Sequence, residues 1–124
     1  MIVFLDPERL KSHERIDKVR LEELITDLKR KKVLRKPVVV DRKTLLILDG
    51  HHRRAAFVKL GIKKLPCFLV DYLSETVKVN FRRQDIKNKL IKEVILRKAK
   101  AGDLFPDKTT KHILSYRPVI NYRL

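Results

Sequence analysis

The run Leu48-Asp49-Gly50-His51-His52-Arg53-Arg54 concentrates the residue types that handle anions. Asp49-Gly50 interrupts an apolar stretch, and helix-compatible residues follow, so the run falls where a strand gives way to a helix. The first N–H groups of a helix lack carbonyl partners and carry the positive end of its dipole, which suits a phosphate. Gly50 lets the backbone come close, and His51, His52 and Arg53 add donors. Asp49 puts a carboxylate beside them, fit to hold a magnesium ion that bridges phosphate oxygens. An Asp-Gly pair alone more often only reverses the chain. Two histidines and an arginine at a helix start make it a candidate phosphate site.

Two other segments carry chemistry. In Ser12-His13-Glu14, a carboxylate able to reach a hydroxyl could act as general base in phosphoryl transfer; the plainer alternative is a surface residue or helix cap. In Lys108-Thr109-Thr110-Lys111-His112, hydroxyls and cations could hold a small zwitterion such as an amino acid, against the alternative of an ordinary polar loop. The lone Cys67 excludes an intramolecular disulfide and a Cys-rich zinc site, and its apolar surroundings make it a core strand residue. Three scattered glycines cannot build a Walker A loop or a GxGxxG turn. The glycine-loop, HRD and DFG set of protein kinases is absent as well.

The elements that must position these groups follow from periodicity. Residues 2–5 read as a strand ended by Asp6-Pro7. Asp17 is placed to cap a helix running to about Lys31, with Leu21, Leu24, Ile25 and Leu28 forming one apolar stripe. Strands are expected at 38–40, at 45–48 as the returning arm of a hairpin, at 65–70 and at 77–81. A helix over 51–60 stops at Gly61. A third helix, marked by Ile86, Leu90, Ile91, Val94 and Ile95, closes at Gly102. From Asp103 onward the chain reads as irregular, with a short strand at 119–121. The fold class is α+β: a compact single domain with a small mixed sheet and about three helices.

With 31 basic and 15 acidic residues in 124, the net charge is +16. Residues 1–34 are nearly balanced at +2, whereas 35–71 carry +6 and 72–124 carry +8. Such a surplus is the usual footprint of phosphate binding, nucleic acid included. It also occurs on hot-adapted surfaces. No apolar run is long enough to span a bilayer and no signal-peptide pattern opens the chain, so a cytoplasmic location without membrane partners is expected.

Taken together, the helix after Asp17, Lys36-Pro37 before a strand, Asp49 to Arg53, Pro66 and Val70-Asp71-Tyr72 resemble the ParB/sulfiredoxin fold over residues 1–81. Asp49-Gly50-His51-His52-Arg53 combined with Lys108-Thr109-Thr110-Lys111-His112 resembles the archaeal free L-serine kinases. That resemblance implies phosphorylation of L-serine to O-phospho-L-serine for cysteine biosynthesis, with ATP or ADP as donor and Mg²⁺ as cofactor. By position, Glu14 would be the catalytic base and Asp49 would orient the hydroxyl or hold the metal. Lys36, Pro37, Gly50, His51, His52 and Arg53 would bind the nucleotide, and Thr109, Thr110, Lys111 and His112 the serine. It divides the chain into a nucleotide-binding core at 1–81 and a C-terminal helix and substrate loop at 82–124. Sulfiredoxins carry a cysteine where this chain has His51, so thiol reductase chemistry is not expected. ParB partition proteins have Glu-Arg-Arg after the corresponding glycine and a helix-turn-helix domain beyond, for which the remaining chain is too short. No obligatory nucleic-acid partner is therefore expected. A ParB-type DNA-binding or nuclease module and a non-catalytic nucleotide-binding regulator remain the alternatives, and the oligomeric state is unreadable.

Overall fold

The computed structural model describes residues 1–81, 88–102 and 110–124. A four-stranded sheet holds β1 (Ile2–Leu5), β5 (Leu65–Val70), β3 (Val38–Asp41) and β4 (Ile47–Asp49), in that order. β1 runs antiparallel to β5, β3 parallel to β5, and β4 antiparallel to β3. The parallel β3–β5 pair requires a crossover, and α2 (His51–Lys59) supplies it. Its first turn therefore starts directly at the end of β4.

β3 reads as an unbroken apolar run because both faces of the sheet are covered. Val38 and Val40 join a core with Leu21 and Leu28 of α1 (Lys18–Lys31) and Ala56 and Phe57 of α2. Val39 points the other way, into a second core with Leu48, Tyr72, Val77, Val79 and Ile95. Val77 and Val79 belong to β6 (Val77–Phe81) and Ile95 to α3 (Asn88–Lys100). Ile47 and Leu48 divide between the two cores in the same alternating way. Cys67 is fully buried in the first core, as expected, and burial pushes its thiol up to about 12, so it is no thiolate nucleophile. No helix among the described residues is long and apolar enough to cross a membrane.

α1 begins where expected, with the Asp17 carboxylate accepting from the Val19 N–H at 3.0 Å. β4 is shorter than the expected 45–48. Leu45 takes a left-handed backbone (φ 61°), tied by its N–H to the Asp41 carbonyl at 2.9 Å, so the strand starts only at Ile47. The chain ahead of Glu14 runs beside this turn: Lys11 N–H donates to Leu45 O and Ile47 N–H donates to Lys11 O.

The tail departs further from expectation. β7 (Thr110–Leu114) pairs antiparallel with β6, and β8 (Tyr122–Arg123) pairs with β2 (Val33–Leu34), not at 119–121. Both strands are made by partners far away in the chain, which local periodicity cannot reveal. Ile86, Lys108 and Thr109 lie outside the described residues, as do the side chains of Leu90, Ile91 and Thr110. Of the expected α3 stripe, Ile95 is buried and Val94 half-buried.

Candidate active site

Gly50 is the N-cap of α2, with φ 107° and no capping side chain for the first N–H groups. A Cβ there would lie 3.0 Å from Arg53 Nε, Arg53 Nη2 and Val38 Cγ2. The glycine thus permits both the backbone conformation and the return of Arg53 over the turn. Arg53 Nη2 sits 3.3 Å from Asp49 Oδ2, and Arg117 Nη1 donates to the same oxygen. The other end of Arg117 donates to the His112 carbonyl at 3.0 Å. Burial alone would raise the Asp49 carboxyl, but Arg53 and then Arg117 outweigh it and hold it below the usual carboxylate range. Asp49 is therefore an anion at neutral pH and a weak base.

Asp49, Gly50, His51, His52 and Arg53 line a cavity of about 440 Å³ with Glu14, Arg20, Lys111, His112 and Arg117. Its size lies in the range of small-ligand sites. The Glu14 side chain is 11% exposed, with Oε2 3.6 Å from Nε2 of the fully buried His13. His51 Nε2 accepts the backbone N–H of His13 at 3.2 Å, and His52 Nε2 accepts that of Asp17 at 3.1 Å. The chain's four histidines converge here. His13 packs edge-on against His51 (4.7 Å between centroids) and His112 (5.4 Å). His112 Nε2 is 2.9 Å from the Tyr72 hydroxyl. Burial, reinforced by His13, pushes His112 down to about 3, and burial with His13 and His112 as neighbours holds His51 well below its usual range. Both are neutral rings, so the positive charge at this end of β7 belongs to the exposed Lys111.

The sequence-derived residues thus come together with two exceptions and one gap. Lys36 and Pro37 do not reach the main cavity; they line a separate space of about 50 Å³ with Val39, Pro118 and Val119. Arg117 lines both cavities. Thr109 and the Thr110 side chain lie outside the described residues. Arg20 and Arg117 are additions that the sequence reading missed. Arg20 sits beside the apolar stripe of α1, a weak signal, whereas Arg117 is a lone tail arginine with none. Arg54 leaves the cavity, its Nε donating to Pro7 O at 2.8 Å and its Nη2 to Leu10 O at 3.4 Å.

No group of three or more potential ligands that could hold a metal occurs among the described residues. The cavity offers two carboxylates, Asp49 and Glu14. That set fits magnesium, which takes one or two carboxylates and completes its shell with phosphate oxygens and water, and does not fit a preformed protein cage.

No protein-family model matches the chain. It is 37% identical over 81 residues to an ATP-dependent L-serine kinase of Desulfurococcus mucosus, covering 62% of this chain and 32% of that one. It is 35% identical over 104 residues to the ADP-dependent L-serine kinase SerK of Thermococcus kodakarensis, covering 81% and 43%. A ParB-like protein of Sulfolobus acidocaldarius is 38% identical over 76 residues, covering 61% and 38%. The chain therefore spans between about a third and somewhat under half the length of these relatives. Among solved structures, a free serine kinase in complex with AMP superposes with TM-score 0.83 at 18% identity, covering 99% of this chain and 92% of the other. Sulfiredoxin from Arabidopsis thaliana superposes with TM-score 0.50 at 25% identity, covering 57% and 85%. The ParB/sulfiredoxin-like fold and the likeness to L-serine kinases drawn from the motifs are both borne out.

Proposed function

We propose that this chain is a free L-serine kinase, transferring the terminal phosphoryl group of ATP, or of ADP, to the serine hydroxyl. The carrying observation is that Glu14, an ionised Asp49 and the uncapped first turn of α2 share one cavity. Glu14 accepts the hydroxyl proton as serine Oγ bonds to the terminal phosphorus. The bond from phosphorus to the bridging oxygen breaks, and its electron pair leaves with the shortened nucleotide.

The N–H groups at the start of α2 and the Arg53 guanidinium receive the phosphates, with Gly50, His51 and His52 forming the turn that presents them. Lys36 and Pro37 border the nucleotide on the far side of Arg117. Asp49, too weak a base to take the proton, would orient the hydroxyl or hold Mg²⁺. Magnesium, when bound, offsets charge on the transferring phosphates. Thr109, Thr110, Lys111 and His112 grip serine, Lys111 facing its carboxylate. In this reading 1–124 is one domain, 1–81 the nucleotide core and 82–124 the substrate part. The protein acts in the cytoplasm, on L-serine and nucleotide without nucleic acid or membrane, and its O-phospho-L-serine feeds cysteine biosynthesis.

The purified protein, given L-serine, Mg²⁺ and either ATP or ADP, is expected to yield phosphoserine detectable by ³¹P NMR. Folded protein that gives no product with either donor removes the assignment. The charge of +16 and the ParB-like relative favour a second reading, a DNA-binding or nuclease module. It requires tight DNA binding that weakens steeply with salt. A nucleotide-binding regulator would bind ATP or ADP without serine-dependent turnover.

A further inference from the structure

Two consecutive residues of a helix project about 100° apart, so they can reach two separated points on a neighbouring segment. His51 and His52 do so. Their Nε2 atoms meet backbone N–H groups four residues apart, at His13 and Asp17, and Glu14 lies between these two anchor points. We propose that this histidine pair is a positioning bracket that holds the Glu14 loop against the phosphate-binding turn. The catalytic consequence rests on the kinase reading above.

The bonding chemistry makes the assignment specific. A nitrogen that accepts an N–H bond cannot at the same time donate to a phosphate oxygen. Both rings therefore spend Nε2 on the loop, and only Nδ1 of each remains as a donor beside the backbone N–H groups and Arg53. The His13 N–H is buried and needs an acceptor, and His51 provides it from the element that starts the phosphate site. Asp17 is also the N-cap of α1, so His52 fixes the point where the loop becomes helix. Arg54 extends the attachment upstream, to the carbonyls of Pro7 and Leu10. One turn of α2 thus carries phosphate donors on its backbone and the alignment of the base on its side chains. Glu14 itself needs this help, because a base displaced by about 1 Å loses roughly 10²-fold in rate.

The test compares His52→Leu, which cannot accept a hydrogen bond, with His52→Gln, whose carbonyl can. In His52→Leu, amide exchange at Asp17 should speed up and kcat should fall, each about tenfold, the worth of one hydrogen bond. The ADP dissociation constant from calorimetry should change by less than kcat, because the backbone N–H groups of the turn and Arg53 stay in place. His52→Gln should recover the slow exchange and most of kcat. Unchanged exchange at Asp17 in His52→Leu overturns the bracket, as does a loss of ADP affinity larger than the loss of kcat. Nitrogen-15 spectra of the unmodified protein test it without any variant. Nε2 of both rings should be unprotonated and the proton on Nδ1; protonated Nε2 atoms overturn the proposal. Exchange, calorimetry and ring spectra need no turnover, so a protein that lacks kinase activity refutes the kinase reading and leaves the bracket to be decided separately.

Discussion

Asp49 and Glu14 line the same cavity yet are suited to different tasks. Asp49 shares one oxygen between two guanidiniums and stays charged, while the Glu14 carboxylate lies 3.6 Å from His13, a ring that burial keeps neutral. Glu14→Gln is therefore expected to lower kcat by about 10²-fold or more with little change in nucleotide affinity, the range for a lost general base. Steady-state kinetics and calorimetry check both halves, and near-normal turnover would remove Glu14 from the role. Arg117→Ala tests the other carboxylate. With one guanidinium gone, burial reasserts itself and the Asp49 carboxyl moves up, so the acidic limb of the pH–rate profile should shift to higher pH. A profile unchanged in position would show that Asp49 ionisation does not govern activity. The positions of Asp49 and Gly50 were legible because they are local, a strand end and a helix start. Glu14 was singled out by the resemblance, and the structure shows that it lines the same cavity. Arg117 was not legible, since its role is created by folding that brings it back onto Asp49, 68 positions earlier in the chain.

At the scale of elements, the site depends on the turn between β4 and α2. Gly50→Ala forces a side chain into a left-handed backbone and drives its Cβ against Val38 in the core and against Arg53. Unfolding in urea should show a loss of about 1–3 kcal/mol. Activity should fall further than the folded fraction does, because Arg53 must leave Asp49. Gly61→Ala is the control, with φ 70° but nothing within 4 Å of the added Cβ, and should cost less and spare activity. Equal losses at both positions would show that backbone strain alone matters. The elements themselves were readable wherever they carry their own signal. The stripe of α1 with its Asp17 cap, the β-branched β3 and the apolar β5 all fell where periodicity put them. β2, β7 and β8 did not, because two-residue strands and a charged Thr-Lys-His stretch become strands only against distant partners. β4 was overextended because no pattern announces a left-handed leucine.

For the whole molecule, charge and histidine placement tell different stories. The excess of +16 is spread mostly over residues 35–124, whereas all four histidines meet at one place. That place joins the N-terminal loop, α2 and β7, and through Tyr72 it touches the second core. Three of its rings are held neutral, with burial lowering His13, His51 and His112 in each case. In the unfolded chain the same rings titrate near 6.5, so between that value and their folded ranges the unfolded state binds more protons. Stability from this source is complete above about pH 6.5 and is lost as pH falls toward the folded values, about 3 for His112. Each ring contributes up to about 1.4 kcal/mol per pH unit within its window. Urea midpoints measured from pH 8 downward should therefore hold level and then begin to fall near pH 6.5, above the carboxylate range. His112→Phe should make that fall shallower even if it lowers stability at pH 8, since one titrating ring is gone. Midpoints that stay level until the carboxylates protonate would mean the histidines are not held neutral. The bracket and the base it aligns would then rest on something other than buried imidazole.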